Sequence, residues 1–163
     1  MAGKKSDLGP TGHDLSYNVR RHRQRHNLTY NELSRRLDRA GRAIPPLGLR
    51  NIEAGTRRVD VDDLMGLAVA LGISPITLLV PDSDSKRRRV EGTATGKQFA
   101  EDLWAWLRAT DPLVGSGEDH IGFALRARPV WAQDTLAEEL MQRKLDAQAE
   151  VERRRAQRSR ERG

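Results

Sequence analysis

The residues of this sequence that could do metal or acid–base chemistry are its histidines and one acidic cluster. His22 and His26 lie four residues apart, a spacing that puts two imidazoles on one face of a helix, where they could bind a metal ion. No third ligand is near them in the sequence, so packing in the core is the favoured interpretation. The stretch "GEDH" (117–120) groups carboxylates with a histidine, but no nucleophile motif or phosphate loop accompanies it. We therefore expect no catalytic residue, no metal and no cofactor.

Positive charge is the stronger chemical signal. The 163 residues carry a net charge of +6, with clusters at Arg57–Arg58, at Lys86–Arg89 and in the Arg-rich tail. Such a balance favours a polyanionic partner, nucleic acid first and an anionic membrane surface second, although charge can also serve solubility alone. The tail (151–163) mixes glutamates with its arginines, so it is as compatible with a solvated charged helix as with a phosphate-binding segment.

Composition excludes several classes of protein. There is no cysteine, which excludes a disulfide framework, thiol catalysis and cysteine zinc sites. The most apolar segment, 64–80, is interrupted by "GISP" and is shorter than the roughly 18–20 residues that a membrane span needs. The N-terminus has charge without the apolar stretch of a secretory signal. We expect a soluble, cytoplasmic protein that does not bind membranes.

Periodicity and capping residues predict the elements that would position functional side chains. A first helix fits 14–26, where inward-facing side chains recur three or four residues apart. A second helix fits 30–39, because Thr29 and Glu32 form a capping box in which each side chain can bond a backbone N–H group. Both helices end in residues typical of helix termini and turns.

Two prolines open the third predicted helix. Pro45 and Pro46 suit a first turn, where the missing N–H has no partner in any case. Leu49 and Ile52 then face the core, and Gly55 ends the helix.

Two further helices complete the predicted N-terminal domain. Asp60 caps a fourth helix, whose inward face recurs at Leu64, Leu67, Ala68 and Leu71. Ser74–Pro75 starts a short fifth helix. Five short, capped helices predict a compact all-helical domain over residues 14–80.

The remaining segments are predicted as appendages of that domain. Residues 1–13 form a flexible arm, and 81–96 form a basic linker. Residues 97–150 form a C-terminal helical region that provides dimerisation or an extra DNA contact, followed by the tail. A helix fits 97–110, whose aromatic residues Phe99 and Trp106 favour a core or dimer-interface role over a ligand site. The stretch "IGFALRARP" (121–129) is compatible with a strand or a helix.

Three stretches of residues 14–80, in order, resemble the lambda-repressor/Cro-like helix-turn-helix (XRE-type) family of DNA-binding proteins. They are "NVRRHRQRHNLTYNELSRRL" (18–37), "LRNIEAG" (49–55) and "LMGLAVALGISPITLL" (64–79). The resemblance implies a mainly all-α fold: a five-helix domain, followed here by a smaller, mostly helical region. The sequence departs from the family in its longer connection between helices two and three (38–44), and in His22, where the family has leucine.

The resemblance also implies where DNA would be contacted. The exposed face of the third helix would meet the bases through Pro46, Leu47, Arg50 and Asn51. Arginine suits guanine, asparagine suits adenine, and an apolar side chain can touch a thymine methyl group. The competing interpretation of Arg50 and Asn51 is a plain solvated helix face.

Other cations fit the DNA backbone. Phosphate contacts are expected from Tyr30, Arg57, Arg58, Lys86, Arg87 and Arg88, which would position the domain without reading sequence. In the family, a glutamate at the position of Glu53 pairs with an arginine at the position of Arg23. We therefore expect Arg23 and Glu53 to form a structural ion pair.

These features predict a sequence-specific regulator of transcription that binds double-stranded DNA. By resemblance it would be a repressor of phage or mobile-element type, acting in phage immunity and associated with the nucleoid. It would not be an enzyme, and residues 97–150 could join two copies in a homodimer. The alternative from another class is an antitoxin-like adaptor whose C-terminal helices bind a partner protein. A third, weaker interpretation makes 97–150 a small catalytic module.

Overall fold

The computed structural model describes residues 8–160, so residues 1–7 of the predicted arm and 161–163 of the predicted tail lie outside the described residues. Five helices come first: α1 (Pro10–Arg25), α2 (Tyr30–Arg39), α3 (Pro46–Glu53), α4 (Val61–Leu71) and α5 (Pro75–Leu79). A two-stranded hairpin follows, β1 (Arg89–Gly92) and β2 (Gly96–Phe99). The remaining elements are α6 (Ala100–Leu107), α7 (His120–Ala127), a 3-10 turn (Val130–Ala132) and α8 (Leu136–Arg160). The predicted mainly all-α class is confirmed.

Local chemistry explains where the first helices begin. Thr29 and Glu32 form both hydrogen bonds of the capping box at α2, and the Asp60 carboxylate accepts the N–H of Asp63 at the start of α4. Proline occupies the first turn of α1, α3 and α5. Helix α1 begins at Pro10, four residues earlier than predicted, since proline is preorganised for that position. Residues 10–13 of the predicted arm are therefore helical.

Helices α1–α5 enclose one hydrophobic core. Its fully buried side chains come from all five helices: Val19, Leu33, Leu37, Leu49, Ile52, Leu67, Leu71 and Leu78. Asn18 on α1 is buried as well, and its amide donates to the carbonyl oxygens of Leu78 at 3.1 Å and Val80 at 2.7 Å. This buried amide ties the end of α5 to the middle of α1.

The segment predicted as a linker is partly a β-hairpin. Strands β1 and β2 pair antiparallel, with Val90 opposite Gln98 and both side chains buried. The hairpin is anchored to α1 by two hydrogen bonds: Thr93 N–H to Thr11 Oγ1 at 2.8 Å, and Thr11 N–H to Thr93 Oγ1 at 3.3 Å. Alternation over four residues in a polar stretch is a weak sequence signal, which is why the strand was not predicted.

The hairpin also changes the predicted helix over 97–110. Residues 97–99 belong to β2, so α6 begins at Ala100, and Phe99 does not share a helical face with Trp106. The chain divides into two compact units after Arg108. The hairpin and α6 thus belong with the five helices, whereas the sequence placed the boundary between residues 80 and 97.

The second unit begins at Ala109. The stretch that sequence left open between strand and helix is helix α7, because the Asp119 carboxylate caps it by accepting the N–H of Gly122 at 2.9 Å. Within this unit Arg143 donates two hydrogen bonds to Asp111, at 2.7 and 3.0 Å, and Arg128 pairs with Glu139 at 2.9 Å. Between residues 8 and 160, no helix is both long and apolar enough to cross a membrane.

His22 gives the fold a predicted dependence on pH. Its side chain is buried, and burial, reinforced by nearby Arg21 and Arg25, lowers its pKa below the ordinary 6.5. The folded chain therefore holds a neutral imidazole while the unfolded chain takes up a proton near pH 6.5. This contribution to stability is complete above pH 6.5 and is lost as the pH falls. His22→Leu, the residue of the resembling family, should lose less stability than the wild type between pH 7.5 and 5.5.

Thermal melts at the two pH values measure this difference. The exposed His13, which is not among the groups that shift the pKa of His22, supplies the matched control, since His13→Gln should keep the wild-type loss. An equal loss in His22→Leu and the wild type would show that His22 does not contribute to the acid sensitivity.

The position of the hairpin predicts which fragments are most stable. A fragment of residues 1–108 should unfold cooperatively near the melting temperature of the N-terminal unit in the intact chain. A fragment of 1–84 keeps the five-helix core but lacks buried Val90 and Leu103 and the Thr11–Thr93 bonds. It should fold as a helical domain with a melting temperature several degrees lower, as circular dichroism would report. Equal melting temperatures would mean that the hairpin and α6 add nothing to the stability of the unit.

Candidate nucleic-acid interface

The short helix α3 buries one side and presents the other to solvent. Leu49 and Ile52 are fully buried, which fixes the rotation of the helix about its axis. Leu47, Arg50 and Asn51 are exposed on the opposite side, and Leu47 is 68% exposed. Pro46 is half-buried at the start of the helix. The structure thus gathers three of the four predicted base-contact residues on the solvent side of α3, with Pro46 only partly exposed.

An ion pair fixes the C-terminal end of this helix. Arg23 on α1 donates from Nε to Glu53 Oε1 at 2.6 Å and from Nη2 to Oε2 at 2.9 Å. The third nitrogen, Nη1, donates to the carbonyl oxygen of Leu28 at 2.9 Å. The side chains of Arg23 and Glu53 are only 11% and 4% exposed, and the hydrogen bonds to Glu53 raise the pKa of Arg23. The structure places the two residues of the expected pair in bidentate contact.

Tyr30 completes the same cluster rather than pointing to solvent. Its hydroxyl donates to Glu53 Oε2 at 2.9 Å, and the Arg23 guanidinium lies 4.1 Å from its ring centroid. The Arg50 guanidinium lies 5.1 Å from the same centroid. A phosphate contact was expected from Tyr30, but the structure gives its hydroxyl an internal partner. Its ring helps to orient Arg50. The sequence does not reveal this role, because it depends on which residues lie near the ring in the fold.

A second buried carboxylate holds both loops that flank α3. Asp63 on α4 is 2% exposed and accepts from Arg42 Nε at 2.7 Å and from Arg57 Nη2 at 2.8 Å. Arg42 precedes α3 and Arg57 follows it, so one carboxylate connects both ends of the helix to the core. Arg42 also donates to Asp60 at 2.8 Å.

This cluster alters the predicted role of Arg57. A phosphate contact was expected, but its guanidinium is used by Asp63 and packs against α3, where any side chain at Gly48 would meet Nη1. Arg58, the next residue, is exposed and stays the predicted phosphate contact of this loop. Arg42 and Asp63 were not predicted from the sequence, because their contact depends on how α4 packs against the loops.

The long connection between α2 and α3 is well anchored. Gly41 has φ +79°, a left-handed conformation that glycine adopts without strain. Ile44 is buried, and the Ser34 hydroxyl donates to its carbonyl oxygen at 2.7 Å. Gly66 on α4 lets Arg42 approach, since a Cβ there would lie 2.9 Å from the Arg42 Cβ. The extra residues therefore form an ordered loop that leads directly into α3.

Further cations surround the hairpin. Lys86, Arg87 and Arg88 are all exposed, and Lys86 and Arg87 also pair with Glu101 at 3.7 and 3.2 Å, which uses part of the charge that was predicted for phosphates. Arg89, the last cation of the predicted cluster, is exposed on β1, and Lys97, which the sequence did not single out, is exposed on β2.

The tail cations are only partly described. Arg153 and Arg154 are exposed on α8, where Arg154 pairs with Glu150 at 2.8 Å. That pair fits a charged solvated helix, and phosphate binding by the tail stays a prediction.

Comparison with known proteins identifies this architecture. Residues 19–78 match the model of the family described as helix-turn-helix. The match begins within α1 and reaches into α5, so it covers the core, both anchoring clusters and α3. Neither a curated protein nor a solved structure gives a significant match to the chain.

The resemblance to lambda-repressor/Cro-like proteins is thereby confirmed for this part of the chain. Residues 19–78 form a helix-turn-helix domain, the DNA-binding domain of a transcription regulator. In such domains the second helix of the motif lies in the major groove. That helix is α3 here.

The buried ion pair generates a prediction about stability. Glu53→Ala leaves the Arg23 charge without its partner in a mostly buried position, which should lower the free energy of unfolding by about 3–5 kcal/mol. Glu101→Ala is the matched control, because Glu101 pairs only with exposed cations and such pairs contribute about 0–1 kcal/mol.

Denaturant unfolding of both variants measures the difference. Replacing Arg23 and Glu53 together by apolar residues should recover much of the loss, since no unpaired charge is then buried. A Glu53→Ala variant as stable as Glu101→Ala would rule out the anchoring role.

Proposed function

We propose that the protein is a sequence-specific regulator of transcription, a repressor of phage or mobile-element type that binds double-stranded DNA. The observation that carries the proposal is the exposed face of α3 within a matched helix-turn-helix domain. Leu47 is largely exposed although it is apolar, and Arg50 and Asn51 lie beside it. In the major groove an exposed leucine could contact a thymine methyl group while the arginine and asparagine beside it bond base edges.

Contacts within the domain support a different role for each exposed residue of α3. Tyr30 stacks near Arg50, which limits the positions of the guanidinium and suits a directed, two-pronged contact to guanine. Asn51 is placed for adenine and Leu47 for a thymine methyl group. Pro46, half-buried at the helix start, would lie along the groove wall and bring shape rather than hydrogen bonds.

Charge supports the same partner. Residues 1–108 contain 19 of the 29 Lys and Arg residues but 13 of the 23 Asp and Glu residues, so the net charge of +6 falls entirely in the unit that contains the helix-turn-helix domain. Residues 109–163 are balanced, with ten of each. The segregation fits a first unit that binds a polyanion, with Arg58 and Arg88 at phosphates.

Self-association is proposed for residues 97–150, most of which lie in the second unit. In that range helix α8 exposes Met141 and Leu145. A homodimer through residues 97–150 would bury such side chains and bring two copies of α3 to one DNA site. The protein would act by binding rather than by catalysis, in the cytoplasm and on the nucleoid.

Selection of duplexes from a random pool, followed by affinity measurements, tests the proposal. Asn51→Ala should weaken binding to the selected site by about 1–3 kcal/mol and relax preference at one base pair. Arg58→Ala should weaken binding to selected and random duplexes alike and reduce the slope of log K against log salt by about one. The control is Gln148→Ala, which removes an exposed amide from α8 and should leave the site preference unchanged.

Each outcome has a distinct consequence. A palindromic selected site supports a symmetric dimer, and an asymmetric one supports a monomer. If Asn51→Ala selects the wild-type motif with wild-type affinity, α3 does not read the bases and the proposal fails.

A further inference from the structure

A pocket lies between α1, the hairpin and α6, on residues to which DNA binding assigns no role. Its volume is about 280 Å³. The apolar part of its wall consists of Leu79, Leu103, Trp106 and Leu107. Protein interiors contain few voids larger than a water molecule, whereas pockets for small molecules begin at about 300 Å³. At about 280 Å³ the pocket lies at the lower limit of that range, so it could hold only a small molecule.

Three threonines form the polar part of the wall. Thr11 and Thr93 are joined by two hydrogen bonds in which both hydroxyl oxygens accept backbone N–H groups. Each O–H hydrogen can therefore point to a further acceptor. The Thr95 hydroxyl is bonded to the backbone of its own turn, at Gly92 and Gly96. Polar donors thus sit at one side of an otherwise apolar wall.

The wall also indicates the charge of the occupant. Among the described residues that line the pocket none is charged, in a chain of which 32% is charged. A carboxylate or an ammonium group entering this pocket would lose hydration without gaining a partner of opposite charge. Neutral molecules do not meet this cost.

We propose that this pocket binds a small, neutral, mostly apolar molecule that carries one hydrogen-bond acceptor, and that this molecule is an effector. The acceptor group would meet the Thr11 and Thr93 hydroxyls, and the apolar body would contact Leu103 and Trp106. This inference goes beyond DNA binding, and only its effector part rests on the proposed function.

Contacts of α1 connect the pocket to the proposed DNA contacts. The residues that lead into α1 meet the hairpin on one side, where a Cβ at the N-cap Gly9 would lie 2.7 Å from Thr93 Oγ1. On the other side they meet the loop after α3, where a Cβ at Gly55 would lie 3.4 Å from Leu8 Cδ1. An occupant that fixes the hairpin against α1 therefore acts on the segment that supports the loop containing Arg58.

Titration of the full-length chain with three six-carbon probes tests the binding site without DNA. Hexan-1-ol should cause saturable amide shifts at Thr11, Thr93 and Leu103 and at the Trp106 indole, as nuclear magnetic resonance reports. Hexanoate and hexylammonium should bind at least about tenfold more weakly, because the pocket has no charged partner for them. Leu107→Trp should abolish the hexan-1-ol shifts by filling the pocket, whereas Leu145→Trp on exposed α8 should not.

Three results would overturn the proposed site. They are no saturable shifts at these residues, binding of hexanoate as tight as that of hexan-1-ol, and unchanged binding of hexan-1-ol by Leu107→Trp. For the effector role, saturating hexan-1-ol should change the affinity for the selected duplex by about fivefold or more in the wild type, and not in Leu107→Trp. An unchanged affinity would overturn that role. If the protein binds no duplex, the proposed function is contradicted. The amide shifts would still show whether the pocket binds hexan-1-ol.

Discussion

The buried ion pair between Arg23 and Glu53 is the interaction on which the position of α3 depends. Helix α3 has eight residues, too few to be stable by its own hydrogen bonds. It buries Leu49 and Ile52, but two side chains do not by themselves fix the tilt of a helix. The bidentate contact to α1 supplies that constraint at the C-terminal end. Its geometry is specific because a guanidinium and a carboxylate match in only a few orientations.

The same pair reaches the exposed face through Tyr30. The hydroxyl of Tyr30 bonds Glu53, and its ring lies under Arg23. The exposed Arg50 lies near the same ring. The anchor of α3 and the position of Arg50, a proposed base-contact residue, are therefore coupled. At the other end, buried Asp63 holds Arg42 and Arg57, one in each flanking loop. Two buried carboxylates thus position a helix that buries few apolar side chains.

The elements that the sequence predicted well are those set by local chemistry. Thr29, Glu32 and Asp60 cap their helices as expected, and the prolines open α3 and α5. The exposed residues of α3 follow from the inward positions of Leu49 and Ile52. The hairpin was missed because Val90 is a single buried apolar residue in a basic stretch.

The side-chain roles that were missed depend on how separate elements pack together. Arg57 was expected at phosphates, but it contacts Asp63, and that contact depends on how α4 packs although the two residues are close in sequence. Tyr30 was likewise expected at the DNA backbone, but its hydroxyl bonds Glu53 on α3. Arg23 and Glu53 are thirty residues apart as well, and they could be paired only because the family resemblance supplied the contact. Periodicity gives the face of a helix, but it does not give the partner on the facing element.

We propose that α3 reads base pairs from the major groove, held there by Arg23, Glu53 and Tyr30. A crystal structure of the protein on its selected duplex is the decisive experiment. We expect α3 in the major groove, with the Asn51 amide within hydrogen-bond distance of an adenine edge and the Arg23–Glu53 contact unchanged. A complex in which α3 faces away from the DNA, or in which another surface enters the groove, would contradict it.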